Sequence, residues 1–269
     1  MIFPSILSIF TGFCLSLLIA CIAYYFRFLS RSGALAAIVV GAIVFGLGGL
    51  AHTVILLAFF FSSSILSVIL KKQKQRVNEK YAKGSRRDAG QVLANGGVAT
   101  FCVIFGAIFP DNPVFWWMFC AAFAAANADT WATEIGVLSK VPPRLITSLK
   151  LVEAGTSGGI TLLGSASALA GAGLIAGFAA IVRTDISALW LIAIAGFFGS
   201  LVDSLLGATV QGVYYCRVCQ KETEKHPQHT CGGQTILIRG WNWLNNDWVN
   251  TFCTLSAAIL IGCLFLLLK

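Results

Sequence analysis

Three acidic residues lie inside long apolar stretches of the sequence, where an ionised side chain is costly. Asp129 and Glu134 belong to AAANADTWATEIG, and Asp203 belongs to GSLVDSLLGATVQ. Carboxylates that converge in such surroundings must be protonated or must share cations. Oxygen ligands suit Mg²⁺, which typically binds one or two carboxylates together with substrate phosphates. The three carboxylates therefore predict a site for a metal ion and phosphate groups.

The residues around Asp203 form one polar stripe on a helix that is otherwise apolar. Ser200, Asp203, Ser204, Gly207 and Gln211 follow the spacing i, i+3, i+4, i+7 and i+11, which places them on one helical face. Small polar residues also make hydrogen bonds between membrane helices, and that explanation is sufficient for Ser200. It does not account well for three carboxylates together.

A glycine turn is a further candidate anion site. It consists of Gly155, Thr156, Ser157, Gly158 and Gly159, and we expect it to open the sixth apolar span. Small residues that lead into a helix N-terminus present free backbone N–H groups to an anion. Thr156 or Ser157 could instead be simple helix caps.

A basic segment, KGSRRDAGQVLANGG, precedes the fourth span. Arg86 and Arg87 lie there close to Asp88 and Asn95. Arginine guanidinium groups match the geometry of phosphate oxygens. A solvated basic loop explains residues 71–76, but the mixture of guanidinium, carboxylate, amide and glycine at 86–95 is more typical of a binding site.

The nine cysteines fall into two groups. Six lie in or near apolar spans, and we expect them to be small apolar fillers. The others, Cys216, Cys219 and Cys231, share a polar loop with His226 and His229. A C-x₂-C pair with further cysteine and histidine predicts a structural zinc site, whose fourth ligand stays open between the two histidines. Unliganded reduced thiols are the alternative.

The end of this loop, WLNNDWVN, contains Asn245, Asn246 and Asp247. These residues either cap the last span or line the phosphate site. The neighbouring tryptophans are expected to anchor the chain at the membrane interface.

Membrane helices must position all these residues. The chain of 269 residues is 57% hydrophobic and 11% charged, with a mean hydropathy of +0.82. Its apolar runs are continuous, whereas the strands of a membrane β-barrel alternate apolar and polar residues. We predict an all-α integral membrane protein, a polytopic helical bundle of about eight spans (7–8). Residues 1–269 would form a single transmembrane domain with a cytoplasmic Cys/His loop at about 212–249.

A helical span needs about 20 residues. The expected spans are 5–26, 33–50, 53–70, 92–109, 114–135, 158–182, 187–211 and 250–268. The second and third run together from Gly33 to Leu70, so a tight reversal near Gly48, Gly49 and His52 is predicted.

The distribution of positive charge tests this count. Eight spans place all but two of the 19 lysines and arginines on one side, and leave Arg183 and Lys269 on the other. The positive-inside rule makes the basic side cytoplasmic and puts both termini outside, and we expect a bacterial cytoplasmic membrane. The net charge of +8 then reflects topology and attraction to membrane lipid, and no nucleic-acid partner is expected.

Four segments together resemble a known family. NADTWATEIG, GTSGGIT, GSLVDSLLGATVQ and the C-x₂-C loop ending in WLNND are similar to the domain-of-unknown-function-92 (DUF92) family, also called the transmembrane-protein-19 family. The resemblance extends from about the second span to the last. The family includes the plant phytyl-phosphate kinase of vitamin E synthesis. The resemblance thus implies phosphoryl transfer from a nucleoside triphosphate, with CTP expected, to an isoprenoid monophosphate.

The resemblance also implies roles for the residues above. Asp129, Glu134 and Asp203 would be catalytic carboxylates, with Asp129 and Asp203 as Mg²⁺ ligands. The residues expected to bind substrate or phosphate are Arg86, Arg87, Asn95, Gly155, Thr156, Ser157, Gly158, Gly159, Ser200, Ser204, Asn245, Asn246 and Asp247. The apolar tail would lie between spans. The sequence contains no G-x₄-G-K-[ST] motif, which excludes an ordinary P-loop.

Two other functions fit a membrane protein with buried carboxylates. An ion-coupled transporter or lipid-flipping protein uses such groups too, although no clear inverted repeat is present and the basic loops favour an enzyme. A non-catalytic membrane protein could use its zinc loop to bind a partner. The oligomeric state is not predicted.

Overall fold

The computed structural model describes residues 6–71, 73, 81, 83, 84, 86–183 and 187–267. Within these residues the chain forms seven α-helices and five short strands. The helices are α1 (Ile6–Tyr25), α2 (Arg31–Ile69), α3 (Ala89–Ile108), α4 (Val114–Gly136), α5 (Leu162–Arg183), α6 (Ser187–Thr209) and α7 (Asn246–Leu267). Five of the basic residues used above for topology lie outside the described residues: Lys72, Lys74, Arg76, Lys80 and Lys269.

The strands lie in two loops between helices. The loop between α4 and α5 contains β1 (Arg144–Leu145) and β2 (Gly159–Ile160), which pair antiparallel. The loop between α6 and α7 contains β3 (Val213–Cys216), β4 (Lys221–Thr223) and β5 (Thr235–Arg239). These three form an antiparallel sheet in the order β4-β3-β5.

Helix α2 is two crossings joined by a reversal. A continuous helix of its 39 residues would be about 58 Å long, whereas the hydrocarbon core is about 30 Å thick. Gly49 interrupts it with φ 66° and ψ −163°. The rings of Phe28 and Phe60, which precede and follow this point, lie 6.3 Å apart. The chain therefore turns back at Gly49, and the predicted reversal is confirmed.

The contacts between helices give their alternating directions. The backbones of Gly12 and Gly46 meet at one end of the bundle, and those of Gly136 and Gly164 meet at the opposite end. We call this second end of the bundle, where α4 ends and α3, α5 and α7 begin, the polar end. With α2 counted as two spans, the described helices cross the bundle eight times. The predicted fold class, an all-α membrane bundle, is confirmed.

Side-chain caps define where two of these helices begin. Ser30 accepts a hydrogen bond from the backbone N–H of Gly33 at 3.1 Å and starts α2. Asp88 forms a capping box with Gln91 and starts α3. The backbone of Arg87 bonds Phe28 and Ser30 at 3.0 and 2.9 Å, so both helix starts are tied together at the polar end.

Helix α4 lies at the centre of the bundle. It packs against α2, α3, α5, α6 and α7, and residues 119–126 are at most 1% exposed. Six of the described helices are long and apolar enough to cross a membrane, and α4 is not among them. Its second half is polar, and a helix that is surrounded by protein need not be apolar toward lipid.

Small residues let α6 approach α4 closely. A Cβ atom added to Gly196 would lie 2.6 Å from the Cβ of Ala124, and one added to Gly199 would lie 2.6 Å from the Cβ of Ala125. Close backbone approach through glycine and alanine is a common way to pack membrane helices. This contact sets the separation of the polar segments that follow on both helices.

We predict that Gly196→Val destabilises the bundle by about 1–3 kcal/mol, because the added methyl groups overlap Ala124. Gly177→Val in α5 is a matched control, since a Cβ at Gly177 meets no atom within 4 Å. Thermal unfolding of the purified protein in detergent measures both. Equal unfolding temperatures for the two variants would contradict the packing of α4 on α6.

Candidate functional site

A polar cavity of about 910 Å³ opens at the polar end of the bundle. Residues from α2 to α7 line it, together with the loops that precede α3, α5 and α7. It collects five carboxylates from four separate segments of the chain. They are Asp129, Glu134, Glu153, Asp203 and Glu224.

Asp129 and Asp203 are adjacent in this cavity. Their carboxyl groups lie within hydrogen-bonding distance of each other. The Oδ2 atom of Asp203 is buried and has no hydrogen-bond partner among the described residues. Because α4 and α6 pack through Ala124 and Gly196, the aspartates further along these helices meet across the interface. Two carboxyl groups this close, one of them with a buried oxygen, are stabilised when they share a proton or a cation.

Glu134 and Arg87 also line the cavity. Ser67 of α2 donates a hydrogen bond of 2.7 Å to Oε1 of Glu134. The guanidinium of Arg87 lies 5.3 Å from the ring centre of Phe59. Burial lowers the pKa of Arg87 to about 10, and the charge of Glu134 opposes this shift. Arg87 therefore stays cationic at neutral pH and can neutralise an anion in the cavity.

Sequence reasoning missed Glu224. It follows β4 in the Cys/His loop and accepts hydrogen bonds from Ser157 Oγ at 2.7 Å and Gln211 Nε2 at 2.9 Å. The hydrogen bonds connect the glycine turn, the segment after α6 and the loop around one carboxylate; Gln211 lies beyond the end of α6 at Thr209 and not on its predicted polar stripe. Its sequence context, KETEK, is that of an ordinary solvated segment, and helical periodicity gives no signal in a loop.

The glycine turn differs from the expected helix N-terminus. Helix α5 begins at Leu162, and Thr161 caps it by accepting a hydrogen bond from Gly164 at 2.9 Å. The turn itself lines the cavity, but the N–H groups of Thr156 and Gly159 already bond backbone carbonyls within the loop. The prediction that the turn opens the sixth span was wrong, because the turn leads into the short strand β2 and α5 begins only after it, at Leu162.

Close packing against α6 explains one glycine of this turn. Gly158 has φ +80°, a conformation that favours glycine, and a Cβ there would overlap Ala208. The turn therefore lies directly on the last turn of α6, beside Gly207. This places Ser157 at the cavity.

The side chain of Lys83 links the segment before α3 to the start of α7 through ion pairs. Its Nζ contacts Asp88 at 2.9 Å and also bonds Asp247. Burial opposes the charge of Lys83, but the hydrogen bonds to Asp247 and Asp88 outweigh it and raise its pKa. The ion pairs therefore persist at neutral pH, and they hold Lys83 at the cavity wall.

The remaining predicted residues divide between cavity and scaffold. Asn95, Ser200, Ser204 and Asn246 line the cavity. Arg86 lies outside the lining, where its Nε donates to the carbonyl of Leu29 at 2.8 Å. Asn245 also lies outside it and caps α7 by accepting hydrogen bonds from Asp247 and Trp248.

The Cys/His loop gathers four potential metal ligands. Cys216, Cys219, Cys231 and His229 place one ligand atom each within 4.8 Å of the others. Cys216 and Cys231 Sγ lie 3.5 Å apart, and His229 Nδ1 lies 3.4 Å from the sulfurs of Cys219 and Cys231. A tetrahedral zinc with usual bond lengths needs separations of about 3.6–3.8 Å, so the four groups fit.

The two histidines of this loop have different surroundings. His226 stacks on Tyr214 with ring centres 4.5 Å apart and lies outside the four-residue cluster. Hydrogen bonds from His229 and from the backbone of Gly233 lower the pKa of Cys231 to about 6. A sulfur that loses its proton easily is a good metal ligand.

Comparisons with known proteins agree with this architecture. The family model "Integral membrane protein DUF92" matches residues 14–258. Protein PGR of Arabidopsis thaliana is 34% identical over a gapped alignment of 277 positions, which covers 91% of this chain and 92% of PGR. The chain belongs to the DUF92 family.

Other DUF92 relatives come from archaea and plants. An uncharacterized membrane protein of Methanocaldococcus jannaschii is 34% identical, over 68% of this chain and 74% of its own. The chloroplastic protein VTE6 of Arabidopsis thaliana is 26% identical, over 82% of this chain and 61% of its own. No solved structure matches the chain. It is therefore a multi-pass integral membrane protein of a family with bacterial and archaeal members.

We expect the purified DUF92 protein to contain one zinc ion per chain, which His229→Ala removes and His226→Ala does not. The physical reason is that only His229 places a ring nitrogen within the cysteine cluster. Metal analysis by mass spectrometry measures this. Equal zinc contents in both variants, or none in the wild-type protein, would contradict a zinc site.

Proposed function

We propose that this protein is a membrane enzyme that transfers the terminal phosphoryl group of a nucleoside triphosphate, CTP, to an isoprenoid monophosphate. The observation that carries the proposal is the adjacency of Asp129 and Asp203 in a cavity that also contains Arg87 and Lys83. The resemblance to a family that includes phytyl-phosphate kinase supports the same reaction.

The charge of the cavity supports a divalent cation in this reaction. Two phosphorylated substrates are strongly anionic, and five lining carboxylates would repel them. We propose that Asp129 and Asp203 hold Mg²⁺, which usually uses one or two carboxylates plus substrate phosphates. The bound ion would supply charge neutralisation for the phosphate oxygens.

The chemistry asks little of the protein beyond positioning. An oxygen of the isoprenoid phosphate forms a bond to the γ-phosphorus, and the bond from that phosphorus to the bridging oxygen breaks. The nucleoside diphosphate leaves. A dianionic monophosphate and a tetra-anionic triphosphate give two trianions, so no net proton transfer is required. Alignment and charge stabilisation therefore dominate.

The protein's own groups can supply both. Arg87 and Lys83 are cationic donors on the cavity wall, and their pKa values keep them charged at neutral pH. Ser204 adds a hydroxyl group from α6, and Ser200, whose Oγ donates to the carbonyl of Phe197 at 2.9 Å, presents its oxygen to the cavity as an acceptor. We propose that Glu224, held by Ser157 and Gln211, positions the glycine turn beside the nucleotide.

The packing of the bundle favours an enzyme over a carrier. The cavity lies at the polar end, whereas residues 119–126 of α4 are packed on all sides. At the other end His52 lies between Trp116 and Phe119, with ring centres 4.8 and 4.6 Å away. A carrier needs access from both sides of its binding site.

We also propose that the polar end faces the cytoplasm. The described basic loop residues lie at this end, as the positive-inside rule requires of a cytoplasmic face. Both termini would then lie outside. Cytosolic nucleotides would reach the cavity directly.

We predict that Asp203→Asn lowers phosphoryl transfer by at least about 100-fold, because it removes one of the paired carboxylates. Asp111→Asn is the control, since Asp111 is an exposed residue between α3 and α4 at the other end of the bundle. The assay combines protein in lipid nanodiscs, Mg²⁺ and each nucleoside triphosphate with phytyl, geranylgeranyl or farnesyl monophosphate.

The outcomes separate the possible functions. Diphosphate product from the wild-type protein and Asp111→Asn, with little from Asp203→Asn, supports the proposal. Full activity of a folded Asp203→Asn variant removes Asp203 from the site. Movement of unmodified isoprenoid phosphate across proteoliposome membranes, with no product, would favour a lipid-flipping protein.

A further inference from the structure

A second, apolar cleft of about 70 Å³ adjoins the polar cavity within the bundle. It lies between α1, both halves of α2, α3 and α4. Ala20, Val40, Phe59, Gly96 and Phe123 are among its walls. Its lining is almost entirely hydrocarbon, in contrast to the cavity beside it.

Three polar residues line both spaces. Arg87, Gln91 and Asn95 belong to the wall of the polar cavity and to the wall of the apolar cleft. Gln91 and Asn95 lie four residues apart on one face of α3, and Arg87 directly precedes Asp88, the residue that caps this helix. The two spaces therefore meet at this face, with a cationic guanidinium at the junction.

This junction is chemically suited to bind an amphiphilic anion. A phosphate placed at Arg87 would have the carboxylates, and their cations, on one side and hydrocarbon walls on the other. We propose that the cleft binds the first isoprenoid unit of a lipid monophosphate, whose phosphate lies at Arg87 in the polar cavity. This inference rests on the proposed function and adds the path of the tail.

The size of the cleft agrees with this occupant. One water-sized group needs about 10–15 Å³ of such space, so 70 Å³ admits about five to seven groups. An isoprene unit has five carbon atoms. Small residues from two helices, Ala20 and Gly96, keep this space open.

Two adjacent glycines of α3 provide a matched test. A Cβ at Gly96 meets only Val40, at 3.4 Å, so a larger side chain there extends into the cleft. A Cβ at Gly97 meets no atom within 4 Å, and Gly97 is not part of the cleft. Gly96→Leu should fill the cleft, whereas Gly97→Leu changes the same helix on another face.

We expect Gly96→Leu to raise the KM for geranylgeranyl monophosphate at least about tenfold and to leave the KM for CTP unchanged. Gly97→Leu should match the wild-type protein. Ala20→Leu narrows the same cleft from α1 and should act in the same direction, so the test survives if Gly96→Leu does not fold. Lipid KM values equal to wild type in both folded cleft variants would overturn the inference.

A binding measurement separates this inference from the proposed function. Thermal stabilisation of each purified protein by geranylgeranyl monophosphate is compared with that by inorganic phosphate. Stabilisation by the lipid in the wild-type protein and Gly97→Leu, but not in Gly96→Leu, supports the cleft even if no diphosphate forms. Equal stabilisation by the lipid in all three proteins would reject the cleft even if the kinase reaction is established.

Discussion

The close approach of two carboxyl groups, one on α4 and one on α6, determines what the cavity of this bundle can bind. Asp129 and Asp203 meet because α4 and α6 pack through alanine and glycine a short distance before them. Such a pair is unfavourable in a membrane protein unless a proton or cation compensates it. The cavity opens at the polar end, where a cation can enter, and the guanidinium of Arg87 lines the same cavity. The central, fully packed α4 keeps the pair in place.

The loops at the polar end contribute residues to the cavity that contains this pair. The loop between α6 and α7 returns Glu224 to the cavity, where Ser157 and Gln211 hold it. The cysteine cluster lies on the same small sheet, with Cys216 paired to Lys221 of β4 three residues before Glu224. A metal bound there would order β4, the strand that Glu224 directly follows. The same small sheet thus connects the proposed structural zinc site to the proposed catalytic site.

The bundle could be predicted because its signals are local and strong. The thickness of the membrane sets the length of each span and requires the reversal at Gly49. The positive-inside rule accounts for the clustering of basic residues on one side. Convergence of Asp129 and Asp203 was expected because an isolated carboxylate inside an apolar span is costly. Loops carry no such periodicity, so sequence could not distinguish Arg87, which lines the cavity, from Arg86, which does not. Glu224 and the choice of His229 over His226 depend on the register of a three-stranded sheet, which is set by tertiary pairing.

Binding of Mn²⁺, a spectroscopic substitute for Mg²⁺, is the direct test of whether Asp129 and Asp203 hold a divalent cation together with the nucleotide. Electron paramagnetic resonance of purified protein measures free and bound Mn²⁺ with and without CTP. We expect CTP to tighten Mn²⁺ binding in the wild-type protein, and we expect this effect to be lost in Asp129→Asn and in Asp203→Asn. Equal, CTP-dependent Mn²⁺ binding by the wild-type protein and both folded variants would contradict this expectation.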